Sequence, residues 1–260
     1  MNRRLCSLLA GLCALAALLL CALPVAAQMP EVKPKPPMFS YVANWQVPRA
    51  NWADIEKVGS ATTPILQKAF ADGTLVGYGN DTTLVHTADG STHDTWWSSM
   101  SLAGLVKVLE QARAATPPDS AALNNAKHWD EIWQATYYNW KPGSSFKNAY
   151  TLVLEYRLRP DAPDSTLENL SAHLIAPSLE KLLADGSILE YEIDTMAIHT
   201  EAPGEFMIVI LTPTPEGLDT ARAAILATQK DHPLAIQTFA SATDSSAHRD
   251  DLLRTDGAYK

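Results

Sequence analysis

The sequence predicts an α+β protein whose folded part is two copies of one β-α-β-β-α-β unit. Two observations carry this. An offset of 113 residues lays Pro64–Thr87 on Pro177–Thr200 with eleven of 24 positions identical, where unrelated segments of ordinary composition share about one or two. Strand-like alternation, helix stops and turn signals also recur in the same order on both sides of that offset.

Residues 1–27 read as a signal peptide. Asn2-Arg3-Arg4 form a positive head, Leu5 to Leu23 is almost wholly apolar, Pro24 interrupts it, and Val25-Ala26-Ala27 supplies small residues before Gln28. An uncleaved anchor is the alternative, because the run approaches the ~20 residues that span a bilayer. Lipoprotein processing fits less well, since Leu20 precedes Cys21 where a small residue is expected. Cys6, Cys13 and Cys21 all lie in this segment, so the cleaved chain has no disulfide, thiolate metal site or cysteine nucleophile. Losing Arg3 and Arg4 leaves 18 basic against 29 acidic residues, a net charge of −11. Such a surface repels phosphate backbones, which excludes nucleic acid as a partner class. No later apolar run is long enough to cross a membrane, so the expected location is periplasmic or secreted. Residues 28–37 are rich in proline and charge and read as an extended spacer.

The first repeat is expected over 38–142 and the second over 149–243, with 244–260 as a C-terminal tail. Phe39–Val47 and Thr151–Arg159 alternate with period two and open the two copies as half-buried strands. A helix follows each. Ser165 with Glu168 makes a capping box, and Asn51 with Asp54 a weaker one. Leu167, Leu170, Leu174, Leu179 and Leu182 then recur at helical spacing. Pro64 and Pro177 fall at equivalent places and predict a bend, and Gly73 and Gly186 predict the helix stops. Hairpins follow over 75–99 and 188–212, turning at Asp89-Gly90 and Pro203-Gly204. Second helices start near Ser101 and at Thr214-Pro215. Glu131–Trp140 and Leu234–Ala242 complete the copies as last strands, although the first of these also shows helical spacing at Trp129, Trp133 and Tyr137.

Four strands and two helices in this order form a ferredoxin-like unit, and the matching sheet of the other copy is the simplest cover for its bare face. With the stretches Tyr137 to Gly143 and His93 to Trp97, this tandem layout resembles the dimeric α+β barrel superfamily, close to uncharacterised exported bacterial proteins of that type. The resemblance implies a pseudo-dimeric α+β barrel, expected as a monomer with internal pseudo-two-fold symmetry. That superfamily holds cofactor-free monooxygenases and haem-binding or haem-degrading proteins. It supplies no catalytic motif to carry over, and fold alone does not give function.

No phosphate loop, G-x-S-x-G elbow or H-E-x-x-H is present. The candidates are therefore positional. His86 and His199, Asp81 and Asp194, and Tyr78 and Tyr191 occupy repeat-equivalent places. The histidines serve either as ligands or bases, or as hairpin-end devices. Glu190, Glu192 and Asp194 share a face opposite Tyr191 and Ile193, either lining the space between the sheets or meeting solvent; in the first case Arg157 is the expected partner of Glu190 or Glu192. His93, Asp94, Trp96 and Trp97 have no echo in the second copy, where Phe206 to Ile210 is plain core. With Asn44, Trp45, Trp133 and Tyr137 they are the candidate ligand pocket, against a reading as aromatic packing at an edge. No spacing argues for a metal, and no cofactor can be named. Three functions remain open: a module binding a small aromatic or apolar molecule; a cofactor-free monooxygenase-like or haem-handling enzyme; and an exported scaffold contacting a partner through 248–260.

Overall fold

A computed structural model describes residues 30–115, 121–198 and 203–260, and all that follows concerns the unit Glu31–Lys260. The expected signal segment, and His199 with Thr200, lie outside the described residues.

Eight strands form a closed barrel: β1 (Met38–Gln46), β2 (Gly77–Thr83), β3 (His93–Ser99), β4 (Lys127–Trp140), β5 (Ser145–Arg157), β6 (Glu190–Met196), β7 (Glu205–Thr212) and β8 (Arg249–Tyr259). Their order around it is β1-β3-β2-β8-β5-β7-β6-β4, antiparallel throughout. The halves therefore share one ladder order, β4-β1-β3-β2 and β8-β5-β7-β6, and are joined edge to edge by β2 with β8 and β4 with β6. Shifted by 113 residues, β2 falls on β6 end for end.

Helices cover the outside. In the first half α1 (Ile55–Asp72) and α2 (Leu102–Ala115) set Leu66, Ala69, Leu105 and Val108 against Tyr41, Ala43 and Trp97 of the sheet, and α3 (Ala121–Asn124) leads into β4. In the second half come α4 (Thr166–Leu170), a π turn over Ser171–Ile175, α5 (Ala176–Asp185), α6 (Pro215–Asp231) and α7 (Pro233–Ala242). Here Leu179, Leu182 and Leu183 pack on Tyr191, Ile193, Ile208 and Ile210. Pro64 sits inside α1, whereas Pro177 falls in the first turn of α5 directly after the π turn, where its missing N–H is cheapest. Gly73 and Gly186 end α1 and α5 at φ of 89° and 87°, the left-handed stop their spacing predicts.

Four expectations need correction. Leu234–Ala242 is not the last strand but lies in α7, begun by Pro233, whose Phe239 packs edge-on against Tyr156 at 4.9 Å. The last strand is β8 (Arg249–Tyr259), so residues 244–260 are no tail: β8 fills the gap between β2 and β5. The charges of Arg249-Asp250-Asp251 disguised this strand, because a barrel lumen can hold polar groups that an ordinary core excludes. The Ser165–Glu168 capping box also does not form, the Ser165 side chain making no cap bond. Nor is the proline-rich lead a free spacer where it is described. Val32 packs on the second-half core, its N–H donating to Ala172 O at 2.9 Å, and Lys35 N–H donates to Thr136 O at 2.7 Å.

Because β8 carries one ladder to each half, truncation after His248 exposes two strand edges at once. The expected outcome is loss of cooperative thermal unfolding and recovery only in the insoluble fraction, checked by circular dichroism and sedimentation; a soluble, cooperatively melting truncate contradicts the closure.

Candidate functional site

The period-two rule decides which side each candidate faces. On β3, Asp94, Trp96 and Ser98 point into the lumen, whereas His93, Thr95 and Trp97 point out toward the helices. On β1, Ser40, Val42 and Asn44 point in, and Tyr41, Ala43 and Trp45 point out. Trp133 of β4 is luminal, but a bulge between Ala135 and Tyr137 reverses the alternation and turns Tyr137 outward into the second-half core. The expected single aromatic pocket is therefore two sites on opposite faces of one sheet, and Tyr137 belongs to neither.

The outer site is a cavity of about 770 Å³ between α1, α2 and the outer face of β1 and β3. Tyr41, Trp45, His93, Trp97 and His128 supply its rings, Thr62, Thr63 and Arg113 are polar groups on the helix side, and Asn80, Thr95, Arg254 and Asp256 are polar groups on the strand side. Asp130 organises one end. It accepts from Tyr41 Oη, lies 2.9 Å from His128 Nε2, and accepts from Arg113 Nη2 at 2.9 Å. Burial works against its charge, yet these bonds from His128, Tyr41 and Arg113 hold its carboxyl below the ordinary range. His128 is stacked on Trp45 with centroids 3.7 Å apart. His93 bonds Thr92 Oγ1 through Nδ1 at 3.0 Å. Burial, with the nearby His86 and Arg49, lowers its pKa and favours the neutral imidazole. Trp97 is buried against Tyr41, centroids 4.3 Å apart, and its indole N–H faces no acceptor.

His86 is exposed on the bend after β2, its ring 5.2 Å from Trp52, and its placement is that of a loop side chain. Sequence reasoning overlooked Trp52 and His128. Trp52 lies edge-on to His93 at 5.0 Å and under the Arg49 guanidinium at 3.9 Å. Tyr78 and Tyr191 both face helices, meeting Phe70 at 5.3 Å and Glu180 at 2.7 Å respectively.

The inner site is the lumen, and it is acidic. Glu190, Glu192 and Asp194 turn inward, as do Asp81 and Asp94 of the first half and Glu155 of β5. Arg157 is not their partner; it pairs with Glu205 across β5 and β7. Asn44, its amide oriented to satisfy both neighbours, donates to Asp94 Oδ1 at 3.1 Å and accepts from Trp129 Nε1 at 3.2 Å. Gly77 and Gly79 stand where the second half has Glu190 and Glu192. A Cβ on Gly79 would meet the Trp96 ring at 2.5 Å, so these glycines admit Trp96 and Tyr259 to the lumen. Burial pushes Asp81 and Glu192 up to about 7, and Asp94, Glu190 and Asp194 well above their ordinary values, with neighbouring carboxylates adding to the shift of Asp94 and Glu190. Among the described residues no group of three donors is placed to hold a metal, and no helix is long and apolar enough to cross a membrane.

No family model matches the chain, and no curated protein matches it in sequence. Solved structures do match in shape. A protein described as a monooxygenase from Fusobacterium nucleatum overlays with a TM-score of 0.62 at 11% identity, covering 87% of this chain and 95% of that one. Another so described, from Lactobacillus acidophilus, overlays at 0.58 with 9% identity, covering 87% and 97%. The likeness is one of fold: an α+β architecture, here with an eight-stranded barrel closed within one polypeptide.

Raised carboxyl pKa values mean that the folded state holds protons the unfolded chain releases. That stability is complete below about pH 4 and is lost as pH rises through about 7. The carboxyls held low on the surface, such as Asp72 and Asp185, titrate below this window. The thermal midpoint should thus fall by several degrees between about pH 5 and about pH 8, and Asp194→Asn should flatten the slope. Calorimetry at both pH values checks this; a midpoint that rises with pH contradicts it.

Proposed function

We propose that this protein binds a small, flat, largely apolar molecule bearing a hydrogen-bond acceptor, in the cavity between α1, α2 and the outer face of β1 and β3. One observation carries the reading. The equivalent helix–sheet interface of the second half is filled by Leu, Ile and Tyr side chains, whereas that of the first half is open by about 770 Å³. At the shared offset, Phe206, Ile208 and Ile210 stand where the first half has His93, Thr95 and Trp97. Substituting polar and aromatic groups for aliphatic ones while leaving space costs stability, so a packing role accounts poorly for it. The size is that of a small-molecule pocket, and the stacked rings suit a planar ligand.

Gly59 tests this without damaging the fold. It lies in α1 on the cavity wall, and a Cβ there meets nothing within 4 Å. Gly59→Leu should intrude on the cavity and stabilise the helix by about 0.5–1 kcal/mol. The wild type should show saturable one-to-one quenching of tryptophan fluorescence by 1,4-naphthoquinone, and Gly59→Leu should lose it with an unchanged or raised melting temperature. Quenching that never saturates, or that survives in Gly59→Leu, refutes the proposal.

A cofactor-free oxygenase acting in the same cavity is the second reading, favoured by His93. Its neutral imidazole borders the space, and as a general base it would take the proton of a hydroxyaromatic substrate, leaving an anion for O2 to oxidise. The descriptions of the two structural neighbours support this class. Oxygen uptake with 1,4-dihydroxynaphthalene above the uncatalysed rate, reduced at least tenfold in His93→Ala, is the expected outcome. A haem-handling variant takes His93 as its axial-ligand candidate and would show a Soret band in protein purified from its native host. We also infer that the halves descend from one duplicated unit and that the chain is exported, on the repeat and the N-terminal pattern respectively.

A further inference from the structure

We infer that the barrel lumen is a second binding site, for a small organic cation carrying an ammonium group. The lining carries the carboxyls of Asp81, Asp94, Glu155, Glu190 and Glu192, with Asp194 buried beside Glu192, and among the described residues its one basic side chain is Arg249 at the mouth. Arg249 bonds Glu155 at 2.8 Å and Asp251 at 3.2 Å, so the chain's own guanidinium already occupies the outer end. The deeper groups have no such partner. Glu192 accepts from Tyr259 Oη at 2.9 Å and from Ser40 at 3.4 Å. Glu190 Oε1 and Asp81 Oδ1 face no donor, although these residues are only 2% and 7% exposed; Asp81 accepts otherwise from Thr255 and Trp96, and Asp194 shares a hydrogen bond with Glu192.

A buried carboxylate facing no donor is relieved either by a proton or by a cation. The cavity shows which cation fits. It measures about 110 Å³, room for several waters or one small organic molecule. Glu190, Glu192 and Asp81 line it together with the rings of Trp96, Trp133 and Tyr259, and carboxylates combined with aromatic faces are what an ammonium group meets in its binding sites. Val153, Val209 and Leu211 complete the wall, apolar surface that suits an alkyl body and not the water shell of a metal ion. Glu131 and Asp251 at the mouth draw positive charge inward. Cation and proton compete for the same oxygens, so binding should weaken on acidification.

The test is calorimetric titration and thermal denaturation of the protein with ethylammonium and 1,4-diaminobutane chlorides near pH 8, against sodium chloride at equal ionic strength and calcium chloride. At least one amine should bind and raise the melting temperature above the sodium control, at least tenfold more weakly near pH 5. Glu190→Gln combined with Glu192→Gln removes charge from the lining without changing shape and should abolish binding in a protein that still melts cooperatively. Gly59→Leu should leave amine binding unchanged, since it intrudes only on the outer cavity. No amine binding near pH 8, binding by calcium alone, or unchanged affinity in the double variant each overturns the inference.

Discussion

Closure of the sheet is the constraint on which the rest of this structure depends. Eight antiparallel ladders leave no edge, so every inward side chain enters a space walled by backbone. Alternation then sorts each strand into two populations that do not mix: one faces the lumen and the other the helices. The acidic run on β6 shows the force of this. Glu190, Glu192 and Asp194 are committed inward because Tyr191 and Ile193 are needed outward, against α5. Once inside, these carboxyls cannot reach bulk water, and their proton affinity rises in consequence.

The two halves meet this constraint differently. The second packs its outer face with aliphatic side chains and places its charges in the lumen. The first also sends Asp81 and Asp94 inward, but Gly77 and Gly79 leave the luminal side of β2 open to the rings of Trp96 and Tyr259, while His93, Thr95 and Trp97 roughen the outer face so that the helices stand off from it. Two cavities of different chemistry result, an outer one lined by rings and a hydrogen-bonded Asp130 network, and an inner one lined by carboxyls. The second half reads as the one that secures the fold, and the first as the one free to carry a site.

Much of this was legible beforehand. The 113-residue offset located β2 and β6, the two helix stops and the asymmetry at His93 to Trp97, because local periodicity and identity survive in a linear string. The candidate pocket was legible in its composition but not in its arrangement. Treating His93 to Trp97 as one cluster ignored the alternation of its own strand, and the inclusion of Tyr137 failed at a bulge, which leaves no mark in residue types. Trp52 and His128 went unnoticed because each is brought in from outside the repeat pattern, by the turn before α1 and by four extra residues at the start of β4.

The last strand shows where the boundary falls. Leu234–Ala242 has a strand's composition, yet Pro233 starts a helix there whose Phe239 finds Tyr156, while the charged Arg249–Tyr259 becomes β8 because β2 and β5 both lack a neighbour. The sequence by itself determined the order of strands and helices through α6, the helix stops at Gly73 and Gly186, and which residues share a face on the strands without a bulge, since these follow from periods of 3.6 and 2 along the chain. Only the tertiary structure decided which face is inside, which strand closes the barrel and where space is left over. Those depend on pairing and packing between segments far apart in the chain, which no local pattern encodes.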